Sequence, residues 1–185
     1  MKIIIASDIH GSFYYVNRLI EEFNRLNCDK LILLGDILYH GPRNDLPREY
    51  NPKKVINLLN QLKDKILCVR GNCDAEVDSM VLAFPVLTPN RKIKVDGKVW
   101  HLTHGHKYNP TNPKQTVKAG EILLFGHSHI PFDGVINGVH YLNPGSVSIP
   151  KENSTHSFIL YNNGEFIFKS LDWFTNSINK YPILH

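Results

Sequence analysis

Cysteine is scarce in this 185-residue chain, which has three such residues against ten histidines. Cys28, Cys68 and Cys73 contain no C-x-x-C pair, so the sequence indicates neither a disulfide framework nor a thiolate zinc site. Because few and unpaired cysteines are typical of a reducing compartment, we expect a cytoplasmic protein.

Long apolar runs are also absent. No stretch approaches the roughly 20 residues that a membrane-spanning helix needs, and the apolar start of the chain ends at Asp8, too early for the core of a secretory signal. We find no internal repeat, low-complexity tract or linker, and we therefore expect one domain over residues 1–185. A formal net charge of +4 and a pI near 8.9 favour anionic partners only mildly and indicate no dedicated nucleic-acid surface.

The first half of the chain alternates apolar runs with helical periods. Residues 2–7 and 31–34 are continuous apolar runs, which predict strands that are covered on both faces. Apolar side chains recur between them at helical spacing, at Val16, Leu19, Ile20, Phe23 and Leu26. Asn51 and Pro52 predict the start of a second helix, which leads to a third strand at 66–69. This half therefore predicts a βαβαβ arrangement.

Turn signals replace the helical period in the second half. Asp96-Gly97 predicts a hairpin with a type I′ turn, and residues 137–138 and 162–164 predict two more. A short buried strand is expected at 121–125. We therefore expect mostly antiparallel strands here, and for the whole chain an α/β fold of two packed sheets with helices outside.

Polar side chains follow five of the apolar runs. The segments are Asp8-Ile9-His10, Gly35-Asp36, Gly71-Asn72-Cys73-Asp74, Thr103-His104-Gly105-His106 and Gly126-His127-Ser128-His129. Ligands of open α/β sheets bind at the carboxyl ends of the strands, so we expect these segments to converge there. Single segments fit a helix cap or a turn, but two imidazoles two positions apart after a buried strand are hard to explain as packing. Jointly they predict a metal site without thiolate ligands.

The order D-x-H, G-D, G-N-x-D, x-H-G-H, G-H-x-H resembles that of the calcineurin-like metallophosphoesterases over nearly the whole chain. The sequence is closer still to the bacterial YfcE-type phosphodiesterase subfamily, in GDILYHGPRN (35–44), VRGNCD (69–74), FP (84–85), LTHGH (102–106) and NPGSVSIPK (143–151). The resemblance implies a four-layer α/β/β/α sandwich of two mixed sheets. It also implies a phosphoric diester hydrolase in which a binuclear metal site and a metal-bound hydroxide cleave a small phosphodiester.

The resemblance also implies a ligand set. The first metal ion would be bound by Asp8, His10, Asp36 and His129, and the second by Asp36, Asn72, His104 and His127, so that Asp36 bridges. Oxygen and imidazole ligands suit Mn²⁺, Fe²⁺, Co²⁺, Ni²⁺ or Zn²⁺, and the resemblance favours manganese. Two divalent ions carry more charge than Asp8 and Asp36 neutralise, which leaves a positive site for a phosphate ester.

Cys73 departs from the wider superfamily, in which many members have a histidine at this position to protonate the leaving group. We therefore expect a preference for diesters with good leaving groups, or the use of His106 or His40 as the acid. Cys73 is equally well explained as a small hydrophobic residue. Arg43, in the loop after Asp36, could form a forked contact with a phosphate oxygen or be an ordinary surface arginine.

Two other functions fit the same fold. One is a protein-interaction scaffold like the retromer subunit Vps29, with residual metal binding, but a pure scaffold is free to lose ligands and this set is complete. The other is a nuclease of the superfamily, whose basic track would be Arg91, Lys92, Lys94 and Lys98. These residues lie on an alternating hairpin, which favours a solvated face. The oligomeric state stays open, a homo-oligomer included, and His101, His140, His156 and His185 receive no role.

Overall fold

The structure, a computed structural model, describes residues 1–172. Its strands are β1 (Lys2–Ala6), β2 (Lys30–Leu33), β3 (Ile66–Cys68), β4 (Asn90–Val95), β5 (Lys98–Thr103), β6 (Ile122–Leu124), β7 (Phe132–Ile136), β8 (Val139–Asn143), β9 (Ser157–Asn162) and β10 (Glu165–Ser170). The helices are α1 (Phe13–Arg25) and α2 (Pro52–Asn60), with short 3₁₀ helices at Lys63–Lys65 and Glu76–Met80. No helix in this part of the chain is long and apolar enough to cross a membrane.

The strands form two five-stranded mixed sheets. The first has the order β10-β9-β1-β2-β3, in which β1, β2 and β3 are parallel and β9 and β10 are antiparallel to their neighbours. The second has the order β4-β5-β6-β8-β7, with β5, β6 and β8 parallel between antiparallel edges. The expected α/β class with two mixed sheets is confirmed.

The expectation of mostly antiparallel strands in the second half is confirmed for the pairs β4–β5, β7–β8 and β9–β10, but the centre of the second sheet is parallel. Turn residues specify only the local hairpins: Asp96 and Gly97 have φ of 46° and 82°, as a type I′ turn requires, and they join β4 to β5. The parallel pairing of β6 with β5 and β8 is long-range. It follows from burial of β6 on both faces, since all three residues of this strand are buried.

Two apolar clusters explain the unbroken apolar runs. Successive residues of β1 point to opposite faces, so Ile4 packs against α1 with Val16 and Leu19, while Ile5 packs between the sheets with Trp100. Both helices lie on the outer face of the first sheet. The outer face of the second sheet is covered differently in the described residues, because Val117 of the irregular segment 104–121 packs there instead of a helix.

The two helices begin where side chains cap them. Ser12 accepts a hydrogen bond from the backbone N–H of Tyr15 at the start of α1. Asn51 accepts from Lys54 at the start of α2, and Pro52 occupies the first helical turn as predicted. Since α1 and α2 connect parallel strands, each of β1, β2 and β3 ends at the same edge of the sheet.

Candidate metal centre

The five polar segments converge at the carboxyl ends of the strands, as the sequence predicts. Asp8 and His10 follow β1, Asp36 follows β2, Asn72 follows β3, His104 follows β5, and His127 and His129 follow β6. Backbone hydrogen bonds fix neighbouring segments to one another: His10 N donates to Asp36 O at 2.9 Å, and Gly126 N donates to His104 O at 2.7 Å. Main-chain hydrogen bonds therefore hold these segments in fixed positions relative to one another.

Three histidines present the same ring nitrogen to the centre. Nδ1 of His10 lies 2.7 Å from Tyr39 O, Nδ1 of His104 lies 2.7 Å from Leu34 O, and Nδ1 of His129 lies 2.6 Å from Ile149 O. A carbonyl oxygen only accepts, so each Nδ1 carries a proton and donates it. In the neutral ring Nε2 then has a free lone pair, which is how metal-binding histidines are oriented.

Two of these Nε2 atoms lie close to a carboxylate oxygen of Asp8 that has no hydrogen-bond partner within residues 1–172. Oδ1 of Asp8 is buried and makes no hydrogen bond among the described residues. Nε2 of His129 and Nε2 of His10 lie 3.3 and 3.6 Å from it, and 3.2 Å from each other. Facing acceptors at this distance repel unless a proton or a cation lies between them, so these residues fit a metal ion. We call Asp8, His10 and His129 the buried half-site.

A second group of acceptors lies across Asp36. Nε2 of His104 is 3.4 Å from Oδ2 of Asp36 and 3.0 Å from Oδ1 of Asn72. The ring of His127 lies farther out, with its centroid 5.1 Å from that of His104. We call Asn72, His104 and His127 the rim half-site, because Asn72 is exposed and His127 is only half-buried. Its donor set also fits a divalent cation.

The backbone is strained at most of these residues. Asp8, His10, Asp36, His127 and His129 have φ between 48° and 68°, the left-handed region that residues with a side chain rarely adopt. Such strain persists only where the surroundings impose it, and it concentrates at functional sites. Five of the seven proposed ligands are therefore held at a cost to stability.

Glycines allow the segments to approach this closely. A Cβ on Gly71 would collide with the carboxylate of Asp36, and one on Gly126 would collide with Ser7 and lie 2.8 Å from Oδ2 of Asp8. The absence of a side chain at these two positions therefore brings neighbouring loops into contact around the carboxylates.

The carboxylates and imidazoles shift one another's protonation. Burial alone would raise the pKa of Asp8, but the imidazoles of His10, His129 and His104 hold it well below its usual range. Burial would lower the pKa of His104, yet its contact with Asp36 and the charge of Asp8 raise the pKa to about 9. The pKa of His10 is raised for the same reason, against burial, by Asp8 and Asp36. Without a bound cation, the imidazole of His104 is therefore protonated at neutral pH.

Asp74 is a residue to which the sequence analysis gave no role. Its buried carboxylate accepts from the backbone N–H groups of Asp36 at 2.9 Å, Ile37 at 2.8 Å and Gly71 at 2.7 Å. Asp74 thereby fixes the loop of Asp36 to the loop of Asn72. The sequence held one signal for this role, because Asp74 is a carboxylate within the segment Gly71-Asn72-Cys73-Asp74, two positions after Asn72.

The candidate acids differ in how they face the centre. Cys73 lies with its Sγ within 4.8 Å of ligand atoms of His10 and Asp36, and burial together with the charge of Asp36 raises its thiol pKa to about 12. His106 lies at the surface. The partial burial of its ring and the charge of the neighbouring His104 lower its pKa. The ring of His40 packs edge-on against Tyr39 and Tyr50 and does not line the cavity over the centre. None is a strong proton donor positioned over the metal residues.

A cavity of about 310 Å³ opens above the centre. Arg43 lines it, as the sequence suggested, and so does Lys151, which the sequence analysis did not single out. The backbone N–H of Lys151 donates to the carbonyl of His129 at 3.3 Å, so this lysine is fixed beside the buried half-site. The lining of the cavity therefore includes two cationic residues, Arg43 and Lys151.

Three of the histidines without a predicted role have structural partners elsewhere. His101 is 2.7 Å from Glu121, His140 is 2.7 Å from Asp133, and His156 is 3.1 Å from Asp172. His185 lies outside the described residues. Of the basic hairpin residues, Arg91 is half-buried and donates to Cys68 O, while Lys92, Lys94 and Lys98 are exposed.

Comparison with known proteins identifies the family. A model of the calcineurin-like phosphoesterase superfamily domain matches residues 1–164. The chain is 42% identical over 163 residues to phosphodiesterase YfcE of Escherichia coli K12, covering 88% of each protein. It is 32% identical over 172 residues to the probable metallophosphoesterase YsnB of Bacillus subtilis, covering 86% of this chain and 83% of that protein.

The fold agrees with the sequence comparison. The structure of YfcE, a phosphoesterase from E. coli, superposes with a TM-score of 0.90 at 40% identity, over 93% of this chain and 94% of that chain. The family expected from the motifs is therefore confirmed. This chain belongs to the calcineurin-like phosphoesterase superfamily and is a phosphoesterase hydrolase.

Proposed function

We propose that this protein is a phosphodiesterase that depends on two divalent metal ions. The observation that carries the proposal is the convergence of Nε2 atoms from His10, His104 and His129 on two buried carboxylates, one of whose oxygens has no hydrogen-bond partner. Buried polar atoms are normally satisfied, so this arrangement calls for a cation. The similarity to YfcE, which is named a phosphodiesterase, supports the diester as substrate.

In this proposal Asp8, His10, Asp36 and His129 hold one ion, and Asp36, Asn72, His104 and His127 hold the other. Manganese is the metal we propose, because nitrogen and oxygen ligands without thiolate suit it and the resemblance favours it. Two bound ions would polarise the phosphoryl oxygens and lower the pKa of an attacking water.

The residues around the cavity would bind and orient the substrate. Arg43 and Lys151 lie on its lining, where they can pair with the non-bridging oxygens of an anionic phosphate. A guanidinium can contact two oxygens at once, whereas an ammonium acts as a point charge. The side chains of Arg43 and Lys151 would therefore hold the phosphate in one orientation over the proposed ligand residues.

The reaction is the addition of water to phosphorus with rupture of one P–O ester bond, which yields a phosphomonoester and an alcohol. The leaving oxygen needs a proton. The thiol of Cys73, with its pKa raised to about 12 by burial and Asp36, is a weak acid for this purpose. We therefore propose that good leaving groups depart with solvent protonation, which favours diesters of acidic alcohols or phenols.

A Vps29-like scaffold is the alternative function. A scaffold has no need of five ligand residues at positive φ, a backbone strain that reduces stability. We therefore propose the enzyme as the function. Its organisation as one domain and its cytoplasmic location stay predictions, and its oligomeric state stays open.

Removal and restoration of metal test the proposal. The protein is stripped with chelator, Mn²⁺, Co²⁺, Ni²⁺, Zn²⁺ or Fe²⁺ is added back, and hydrolysis of bis-p-nitrophenyl phosphate is compared with that of p-nitrophenyl phosphate. We expect activity only with metal and a preference for the diester. Asp8→Asn should abolish the activity, whereas Asp133→Asn, which changes an exposed carboxylate, should retain it. Metal-independent hydrolysis would contradict the proposal, and metal binding without turnover would favour the scaffold.

A further inference from the structure

An apolar cleft of about 700 Å³ lies beside the cavity over the metal residues. Its apolar lining comes from Pro110, Phe125, Ile130, Pro131 and Phe132. The rings of Phe125 and Phe132 lie with centroids 6.1 Å apart, and Ile130 is 37% exposed. These side chains come from three different parts of the chain, so the cleft is formed by the tertiary fold and not by one surface loop.

The cleft and the cavity over the centre share one lining residue, which is a proposed ligand. His127 lines both this cleft and the cavity that contains His10, Asp36 and His129. Its ring also contacts that of His104, with centroids 5.1 Å apart. The cleft therefore adjoins the space in which we propose that the phosphate binds.

The charges of the two spaces differ. The cavity over the centre is lined by Arg43 and Lys151, whereas Glu152 is the one residue with a permanent charge among the described residues that line the cleft. An anionic group is favoured in the cavity and disfavoured beside Glu152. A neutral apolar group fits the cleft, since it removes aromatic and aliphatic surface from water without desolvating a charge.

A third space adjoins the centre at Asn72. This cavity of about 380 Å³ is lined by Arg70, Asn72, His106, Lys107 and Tyr108. Its lining includes the cations of Arg70 and Lys107, whereas the described lining of the cleft beside His127 includes no lysine or arginine. A neutral apolar group is therefore better matched by the cleft than by this cavity.

We propose that the cleft beside His127 binds an apolar, preferably aromatic, ester group of the phosphodiester. This inference rests on the proposed function, and it narrows the substrate class to diesters with one apolar ester group. Ile130 is then a residue that determines specificity through contact with that group.

Binding measurements test this assignment without turnover. Affinities of phenylphosphonate and methylphosphonate are measured by calorimetry on the Mn²⁺-loaded protein, because both carry the same anionic head and differ only in the apolar group. We expect phenylphosphonate to bind about tenfold more tightly than methylphosphonate, since the ring leaves water on entering the cleft. Ile130→Asn should reduce this ratio to about threefold or less, while the affinity for methylphosphonate stays unchanged.

Val135→Asn is the matched control, because Val135 is an aliphatic residue on β7 that is 67% exposed and does not line the cleft. It should leave the ratio unchanged. Equal affinities for the two phosphonates in the unmodified protein, or a ratio that Ile130→Asn does not alter, would overturn the assignment. A change of sedimentation from dimer to monomer in Ile130→Asn with an unchanged ratio would also overturn it, by showing that the cleft is a contact between copies. A preserved ratio in a protein without diesterase activity would reject the proposed function and keep the apolar binding site.

Discussion

The two half-sites of the centre share Asp36 but differ in burial. In the buried half-site the relative exposures of Asp8, His10 and His129 are 0%, 1% and 3%. In the rim half-site only His104 is fully buried, while Asn72 is exposed and His127 is half-buried. The buried half-site is also fixed more firmly, since both of its imidazoles donate to backbone carbonyls and all three of its residues have positive φ.

This difference in burial indicates different roles for the two half-sites. Asn72 lines both the metal cavity and the basic cavity, and His127 lines both the metal cavity and the apolar cleft. Each of these two rim residues therefore borders a second space besides the cavity over the centre. We infer that the buried half-site provides the tighter metal site and that the rim half-site connects metal binding to substrate.

Two histidines of one segment allow the sharpest comparison of the half-sites. His129→Gln removes a buried proposed ligand that donates to Ile149 O, and we expect Mn²⁺ affinity at the tighter site to fall about a hundredfold. His127→Gln removes a proposed rim ligand, and we expect a loss of about tenfold, confined to the weaker site. Calorimetric titration of both variants measures the two effects. Equal losses would contradict the distinction between the half-sites.

Asp74 connects the half-sites, so changing it should weaken both. Asp74→Asn retains one acceptor oxygen but places an amide N–H group against backbone donors from the loops of Asp36 and Gly71. We expect a loss of about 2 kcal/mol in the free energy of unfolding and about a tenfold loss of metal affinity. Denaturant melts and metal titration check this. Asp133→Asn is the control, because that carboxylate is exposed, and a similar loss there would refute a special role for Asp74.

The pH dependence should follow the buried histidines. The pKa of His104 is raised to about 9 by Asp36 and Asp8 despite burial, so below that pH a metal ion must displace its proton. Apparent Mn²⁺ affinity should therefore rise with pH up to about 9, by about tenfold per pH unit for each proton displaced. Because the pKa is raised on folding, its contribution to the stability of the metal-free protein is complete below the unfolded value and is lost as pH rises through about 9.

Titrations with metal at pH 7, 8 and 9, and melts of the metal-free protein at the same pH values, measure these effects. His140→Gln is the control, since His140 pairs with Asp133 away from the centre. An affinity that does not change with pH would show that the buried imidazoles are neutral before the metal binds.

The charges of Arg43 and Lys151 on the cavity lining should affect substrate binding more than metal binding. Arg43→Ala and Lys151→Ala each remove one positive charge from the lining, and we expect KM for bis-p-nitrophenyl phosphate to rise about threefold to tenfold with little change in kcat. Metal affinity should stay close to that of the unmodified protein. Lys98→Ala, on the exposed β4–β5 hairpin, is the control. Unchanged kinetics in Arg43→Ala would make it an ordinary surface arginine.

Cys73 should have the smallest effect. Its thiol, with a pKa raised to about 12, is too weak an acid to protonate a leaving group, so Cys73→Ala should change kcat for bis-p-nitrophenyl phosphate less than about twofold. Cys73→His would place an imidazole there, and diesters of weakly acidic alcohols should gain most. If the dependence on leaving-group acidity is the same in Cys73→His and the unmodified protein, this position supplies no acid in either.

The convergence of the proposed ligand residues could be predicted because each of them follows an apolar run. Five separate segments have their polar residues directly after a strand. The parallel order of β1, β2 and β3 brings three of those ends together in the first sheet, and the parallel pair β5–β6 brings the other two together in the second. The α/β class follows from the same runs, since a strand such as β1 that is covered on both faces shows no alternation.

The remaining features depend on long-range pairing. The turn signals predicted the antiparallel hairpins of the second half, but no local signal in 122–124 shows that β6 lies parallel between β5 and β8. The roles of Asp74 and Lys151 depend on atoms distant in sequence, such as Ile37 N and His129 O. The apolar cleft likewise combines Pro110, Phe125 and Phe132, which are separated along the chain and meet only in the folded protein.

The most direct test of the binuclear centre is a crystal structure of the Mn²⁺-loaded protein with anomalous scattering measured at the manganese edge. We expect two peaks that share Asp36, one surrounded by Asp8, His10 and His129, and the other by Asn72, His104 and His127. The peak in the rim half-site should be the first to weaken when the metal concentration is reduced. A single peak at saturating Mn²⁺, or peaks away from these residues, would contradict the binuclear centre.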